Sequence, residues 1–554
     1  NVEVKVGRGI AELPSGRKMT LTNGSFEVPD TDPKRPPSRI KMRVEGTVDA
    51  VAELVAMEPI REPSGALFDS ATTRGAVTGT IVINTPVAKE IDRKEVTYQV
   101  EAEIANFSAE RFVRGYKAEA QSMRVSANTQ GIQARGEMRI GGTPAFVEYR
   151  KPAGAGDAEV RLQATLDDAG RSRFGLDTAG ALSGPVPVRL AGRIGSGDHD
   201  SRFSVELDLL QARIVDLMPG WNKPAGKATR ASVVIVEKQQ SIRFEDIVIE
   251  GGGVSVRGAV EMDSDGEIVS ANLPIFALSE GDKASLRAER TSDGAMRLAL
   301  RGDVFDGRGF VKAAMKGSAD PKRSAARDID LDIRLGAVAG FNGEAMRGVE
   351  ARMTRRAGQV RAFSLNAKIG RDSTVIGDLR GRGGRQVVYV ETDDAGALFR
   401  FSDTYPRIVG GHMWAAMDPP SGDQSPQTGV LNIRDFLVRG EPALDRVAAS
   451  PAPGAVEGGL RSAPQTSGVQ FSRMKVDFTR SAGKLTIRDG VVWGPAVGAT
   501  LDGELDYVRD QVRMRGTFVP AYALNNILAR IPIVGFFLGG NENEGPLGVT
   551  FEVA

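Results

Sequence analysis

Chemistry in a protein starts with side chains that can move protons, hold metals or attack carbonyl carbons. This chain has 2 histidines and no cysteine. His199 sits in Gly197-Asp198-His199-Asp200, a turn-like stretch, and His412 lies beside Trp414 on an expected strand. A metal or acid–base site needs converging partners, and neither position supplies them. Asp328, Asp330 and Asp332 invite a calcium reading, but no glycine-bearing calcium loop surrounds them. Gly220 to Gly226-Lys227 imitates a phosphate loop, with spacing one residue too long and Ala228 where Ser or Thr is required. Gly307 and Gly309 begin a dinucleotide fingerprint that fails at Lys312, where the third glycine belongs. These motifs revert to turns, strands and solvated loops. The expectation is a protein that is not an enzyme and carries no cofactor or metal.

Composition narrows the class further. The 554 residues carry a net charge of +1 with no basic block, which removes the electrostatic footprint of a nucleic-acid partner. With 66 glycines, 28 prolines and only 6% aromatic residues, the chain suits many short strands joined by tight turns. The absence of cysteine is compatible with a reducing cytosol and an oxidising periplasm alike. No stretch is long and apolar enough for a transmembrane helix. Asn1-Val2-Glu3-Val4-Lys5-Val6 already alternates like the middle of a strand, so the chain reads as a fragment whose membrane tether would lie upstream.

The elements repeat one rhythm. Asp328 to Leu335 puts Ile329, Leu331 and Ile333 on one face and the acids on the other, a sheet with one apolar and one wet side. Met474, Val476 and Phe478 alternate with Arg473, Lys475 and Asp477, and Leu485 and Ile487 continue the pattern. Short helices are expected from Asp49 to Met57 and from Asp167 to Leu176. At about 14 residues per strand and turn the chain supplies roughly 35 strands, more than an open twisted sheet holds without curling or splitting. No fixed repeat is visible, which argues against propellers and solenoids. Few helices are available to cover so much apolar face. The face must close on itself as a core or stay an apolar trough on the order of 150 Å long, and an exposed trough needs a guest.

The rhythm breaks from Phe518 onward. Pro520 suits a first helical position, and Leu524, Ile527, Leu528 and Ile531 follow at helical spacing. After Pro532, the residues Ile533, Val534, Phe536, Phe537 and Leu538 are too apolar for an ordinary loop and too few to cross a bilayer. This segment reads as an amphipathic helical cap on the sheet or a contact with a membrane surface, and a strand resumes from Leu547 to Val553.

A set of local sequences adds a family to this reading. It comprises Asp394-Ala395-Gly396, Tyr405 with Gly410-Gly411, Gly429-Val430-Leu431-Asn432-Ile433-Arg434-Asp435-Phe436, Phe471 and Gly483-Lys484-Leu485. Its most specific members are Val519-Pro520-Ala521-Tyr522-Ala523-Leu524-Asn525, Ile531-Pro532-Ile533-Val534-Gly535 and Gly548-Val549-Thr550-Phe551. Asp208-Leu209, Pro219 to Gly226 and Asp328 to Ile333 extend it upstream. The set resembles the AsmA-like superfamily, in particular the large YhdP-type proteins of Gram-negative bacteria. The resemblance implies a bridge-like lipid transfer protein: a long antiparallel sheet bent into an elongated hydrophobic groove in the periplasm. It further implies an inner-membrane anchor upstream, an outer-membrane-proximal C-terminal end, and phospholipid acyl chains in the groove.

On this reading residues 1–390 form the upstream groove and residues 391–554 the C-terminal region closing it, as one continuous structure. Alternation nominates Ile329, Leu331, Ile333, Met474, Val476, Phe478, Leu485 and Ile487 as groove lining. The competing expectation is a non-enzymatic envelope scaffold or assembly factor with a closed, dry β-core that binds other envelope proteins.

Overall fold

The computed structural model describes residues 2–55, 57, 72–113, 115–154, 156–195, 199–317, 328–420, 426–441, 444, 468–495, 497–520 and 549–553. As expected, the protein is mainly β, with 67% of the described residues in strands and 7% in helices, and nearly all the strands belong to one long twisted sheet that does not close into a barrel. Among the described residues the short α-helices are α1 (Val48–Val55), α2 (Asp168–Arg173), α3 (Arg308–Lys316) and α4 (Ala395–Phe401).

Turn chemistry explains the up-and-down order. Gly141 and Gly142 have φ 54° and 82°, as do Gly383 and Gly384 with 56° and 79°. Two successive positive φ values give the tight hairpin whose twist matches its strands, joining Ile140 to Thr143 and Arg382 to Arg385. The expected antiparallel order is broken where Met296–Asp306 runs parallel to Ile329–Ala339. A parallel pair needs a crossover, and α3 begins it directly after Asp306.

The chain divides into two compact units. The first comprises Asn1–Leu217, Asn222–Gly252 and Arg257–Glu267; the second comprises Met218–Trp221, Gly253–Val256 and Ile268–Ala554. The boundary drawn from sequence near residue 390 therefore falls inside the second unit.

In the first unit, one apolar row crosses the ladder through Val44, Gly79, Ala102, Val125, Ala134, Tyr149, Val160, Gly192, Phe203, Ile235 and Phe244, each the register partner of the next. Beside it lies a dry cluster including Val77, Ile104, Phe107, Met123 and Met138, with Val48 and Val51 of α1 and Phe174, just beyond α2, packed in. Arg171 anchors α2, its guanidinium donating to the carbonyls of Leu166 and Gly184 at 3.0 and 2.7 Å.

In the second unit, the core gathers Ala395, Ile408, Met413, Ile433, Phe436, Val469, Phe471, Met474, Val476, Val492 and Phe518. Helix α4 lies against it, with Leu398 and Phe399 touching the cluster. The helix starts at Asp394, whose carboxylate caps the Ala397 amide at 2.9 Å. Pro520 ends the strand Gln511–Pro520, in register with Val497. A proline is tolerated at such a strand end, where its missing N–H interrupts no interior pairing. The expected cap residues Leu524, Ile527, Leu528, Ile531, Ile533, Val534, Phe536, Phe537 and Leu538 lie outside the described residues.

Candidate functional site

Register partners on neighbouring strands point to the same face, so the sheet's surface can be read row by row. In the second unit one row runs through Leu286, Leu300, Ile333, Ala351, Leu365, Gly377, Val390, Ala415, Leu431 and Val476. Its nine inter-strand steps span about 43 Å at roughly 4.8 Å each. The row brings together Ile333 and Val476, two of the residues nominated from alternation, although they are far apart in sequence.

The neighbouring rows differ in burial. On one side Ala367, Val375, Thr392, Met413, Ile433, Met474, Val492, Ala499 and Phe518 form a continuous row, every member buried. On the other side lie Ala288, Leu298, Leu331, Met353 and Phe363, and further along Leu379, Val388, Met417, Gly429, Phe478 and Ile487. Apart from Ala288, which is buried, these are half-buried. The face thus grades from a dry seam beside α4 to an apolar strip in partial contact with solvent.

The nominated lining residues divide along this gradient. Ile329, Leu331, Ile333, Phe478, Leu485 and Ile487 are half-buried. Met474 and Val476 are buried within the core cluster. Glycine shapes the strip: a Cβ on Gly429 would stand 2.3 Å from the Phe478 ring, and one on Gly377 would stand 2.8 Å from that of Phe363. Each aromatic ring lies over a neighbouring strand's glycine, filling the gap that the missing side chain leaves.

The opposite face is ionic. Asp330 receives two hydrogen bonds of 2.9 Å from Arg356, which hold its carboxyl below the usual carboxylate range. Asp332 pairs with Arg301, and Asp328 accepts from the Ala357 amide at 2.7 Å. The three aspartates are thus engaged with arginine or backbone. His199 meets Asp157 at 3.1 Å, and His412 stands between Asp393 at 2.8 Å and Glu391 at 3.4 Å. Tyr389 stacks on Trp414 at 6.1 Å with Arg380 3.6 Å above its ring.

Two features were not legible as sites. The lysine before Pro224 in the failed phosphate loop is buried, and Lys223 Nζ donates to the carbonyls of Ala212, Pro224 and Leu210 at 2.6, 3.1 and 3.4 Å. Burial pushes its amine's pKa down, and its role is to tie the small sheet of Leu182–Ser183, Arg213–Val215 and Asn222–Lys223 to the chain around it. The second is a concavity of about 1310 Å³ on the polar face of the first unit, lined by Glu119, Glu137, Arg139, Phe146, Gln163 and Arg189 among others. Glu119 faces Arg139, and Phe146 lies between Glu137 and Gln163 in register. Opposite charges facing across strands are what a solvated sheet surface needs for its own pairing.

Among the described residues no helix is long and apolar enough to cross a membrane. Comparison with known proteins returns no matching family model, no matching curated protein and no matching solved structure.

Proposed function

We propose that this chain is a passive conduit for phospholipid, holding acyl chains along the apolar rows of its sheet and moving them between the inner and outer membranes of a Gram-negative envelope. The observation that carries this reading is the half-buried strip through Leu331, Ile333, Leu365, Val390 and Leu431, continuous across strands and bordered by a dry seam. An apolar surface of that extent is stabilised by an apolar occupant. Each methylene that leaves water for it contributes about 0.8 kcal/mol, and a row of near-equivalent positions lets a chain slide without catalysis.

The AsmA-like, YhdP-type resemblance supports a periplasmic location, an inner-membrane anchor upstream and a C-terminal end near the outer membrane. It also supports a role in outer-membrane lipid homeostasis. The alternative, an envelope scaffold with a dry core, draws its support from the wholly buried row through Ile433 and Met474.

Mass spectrometry of lipids extracted from the purified chain, beside Ile333→Asp, tests the choice. The conduit reading expects phospholipid at near-stoichiometric amount or above, lost in a variant that keeps its circular dichroism and melting behaviour. Lipid-free, stable wild-type protein would move the scaffold ahead. Val476→Asp is the poorer control, because a carboxylate at a position 4% exposed would disrupt the core itself.

A further inference from the structure

Helix α3 joins two places that the register sets far apart. Its start belongs to the margin beside α4: the Gly307 amide donates to the Ala339 carbonyl at 2.9 Å, and Lys312 Nζ lies over the ring of Phe341, 5.1 Å from its centre. The Phe341 amide in turn donates to the carbonyl of Phe401, the last residue of α4, at 3.1 Å. The end of α3 belongs to the other margin. Arg480, on the strip's face one row beyond Phe478, donates to the Ala314 carbonyl. A Cβ on Gly483, in the hairpin that pairs Ser481 with Lys484, would stand 3.1 Å from the Lys316 carbonyl oxygen. The strands Ile329–Ala339 and Val469–Ser481 are separated by seven antiparallel steps, about 34 Å along the ladder. An odd number of such steps reverses direction, so the C-terminal ends of these two strands, where α3 makes its contacts, lie on opposite margins. The nine residues of α3 span only about 14 Å. Curling of the sheet therefore brings the two margins within one short helix of each other, and α3 fastens them.

The two attachments are unequal. The start follows directly on the strand Met296–Asp306, and Asp306 accepts from the Arg308 guanidinium at 2.9 and 3.2 Å. The end is held by the Arg480 side chain and by the close approach of the hairpin. No residue of α3 is buried, and Phe310 is 40% exposed. A helix this short is marginal without packing, and a segment with few buried contacts opens at lower cost than a core. We propose that α3 is a strap across the strip: fastened, it closes the side and retains a guest, and released at Arg480 and the hairpin, it lets the guest enter or leave laterally. The proposal rests on the conduit reading and adds the regulation of that same surface.

The test exploits the absence of cysteine from the chain. Lys316→Cys/Ala482→Cys sets two thiols at exposed positions across the fastening, to be joined after folding by a short bismaleimide. Stopped-flow fluorescence then follows exchange of a pyrene-labelled fatty acid between the full chain and phosphatidylcholine vesicles, with the same variant left unjoined as the reference. Joining is expected to slow exchange by about tenfold or more while the amount bound at equilibrium changes by less than about twofold, the signature of a gate. Arg480→Gln is expected to speed exchange by about tenfold, the scale of one hydrogen bond from a charged donor. Exchange that the cross-link leaves unchanged overturns the strap and leaves the conduit standing, whatever Arg480→Gln does. A cross-link that abolishes binding at equilibrium also overturns the strap, because it marks damage to the surface and not closure over it. Wild type that binds no probe overturns both.

Discussion

Leu431 and Ile433 are two residues apart on one strand, face the same way and are both aliphatic, yet Ile433 is 0% exposed while Leu431 is half-buried. The difference extends along whole rows. Met413, Ile433, Met474 and Val492 are buried together, and Met417, Gly429, Phe478 and Ile487 are half-buried together on the same strands. Side-chain chemistry does not separate the two regions. What separates them is how far each is covered, and α4 supplies part of the cover, packing onto the buried cluster through Leu398 and Phe399. The hydrophobic effect acts on the area removed from water, so one stretch of sheet supplies a stabilising core at one margin and a surface that accepts a guest at the other.

This comparison can be broken by unequal truncations. Ile433→Ala should cost about 2–5 kcal/mol in urea unfolding, as for a cavity in a closed core, and Leu431→Ala distinctly less. Equal losses would mean that both rows are equally dry, and the strip would lose its claim to a ligand.

Loosening the cover is the next effect in size. Asp394→Ala removes the carboxylate that caps the Ala397 amide and should cost about 1 kcal/mol. Hydrogen exchange should then accelerate in α4 and in the strand Ile408–Met417, which packs on it, while the strand Ile329–Ala339 stays as protected as before. Uniform acceleration would contradict a locally covered seam.

The smallest effect concerns the polar face. Because the hydrogen bonds from Arg356 depress the Asp330 pKa, the carboxylate favours the folded state above the usual carboxylate range. That contribution fades as pH falls through the depressed folded value. Asp330→Asn should therefore lower the melting temperature slightly at neutral pH and bring the two proteins together near about pH 3 or below. An unchanged difference at low pH would show that the pair contributes through geometry and not through charge. Lipid content should not respond.

Much of the fold was legible because its signals are local. Alternation placed the strand around Ile329, Leu331 and Ile333, and the helical expectations at Asp49–Met57 and Asp167–Leu176 meet α1 and α2. The strand pairing of Pro520 was not legible, since its partner Val497 lies 23 residues earlier on the preceding strand. The parallel pair was equally invisible, because parallel and antiparallel strands of this kind share one pattern. The candidate surface was half legible: alternation grouped residues that share a face, but it placed Met474 and Val476, which are buried, with Phe478 and Ile487, which are half-buried.

By itself the sequence determined a two-faced β chain, through its period of two and its glycine turns. Only the tertiary structure decided which apolar rows are sealed and which remain partly open. The physical reason is that a side chain's face follows from backbone geometry within its own strand. Its burial, and the charge that stands beside it, follow from register with strands tens to hundreds of residues away.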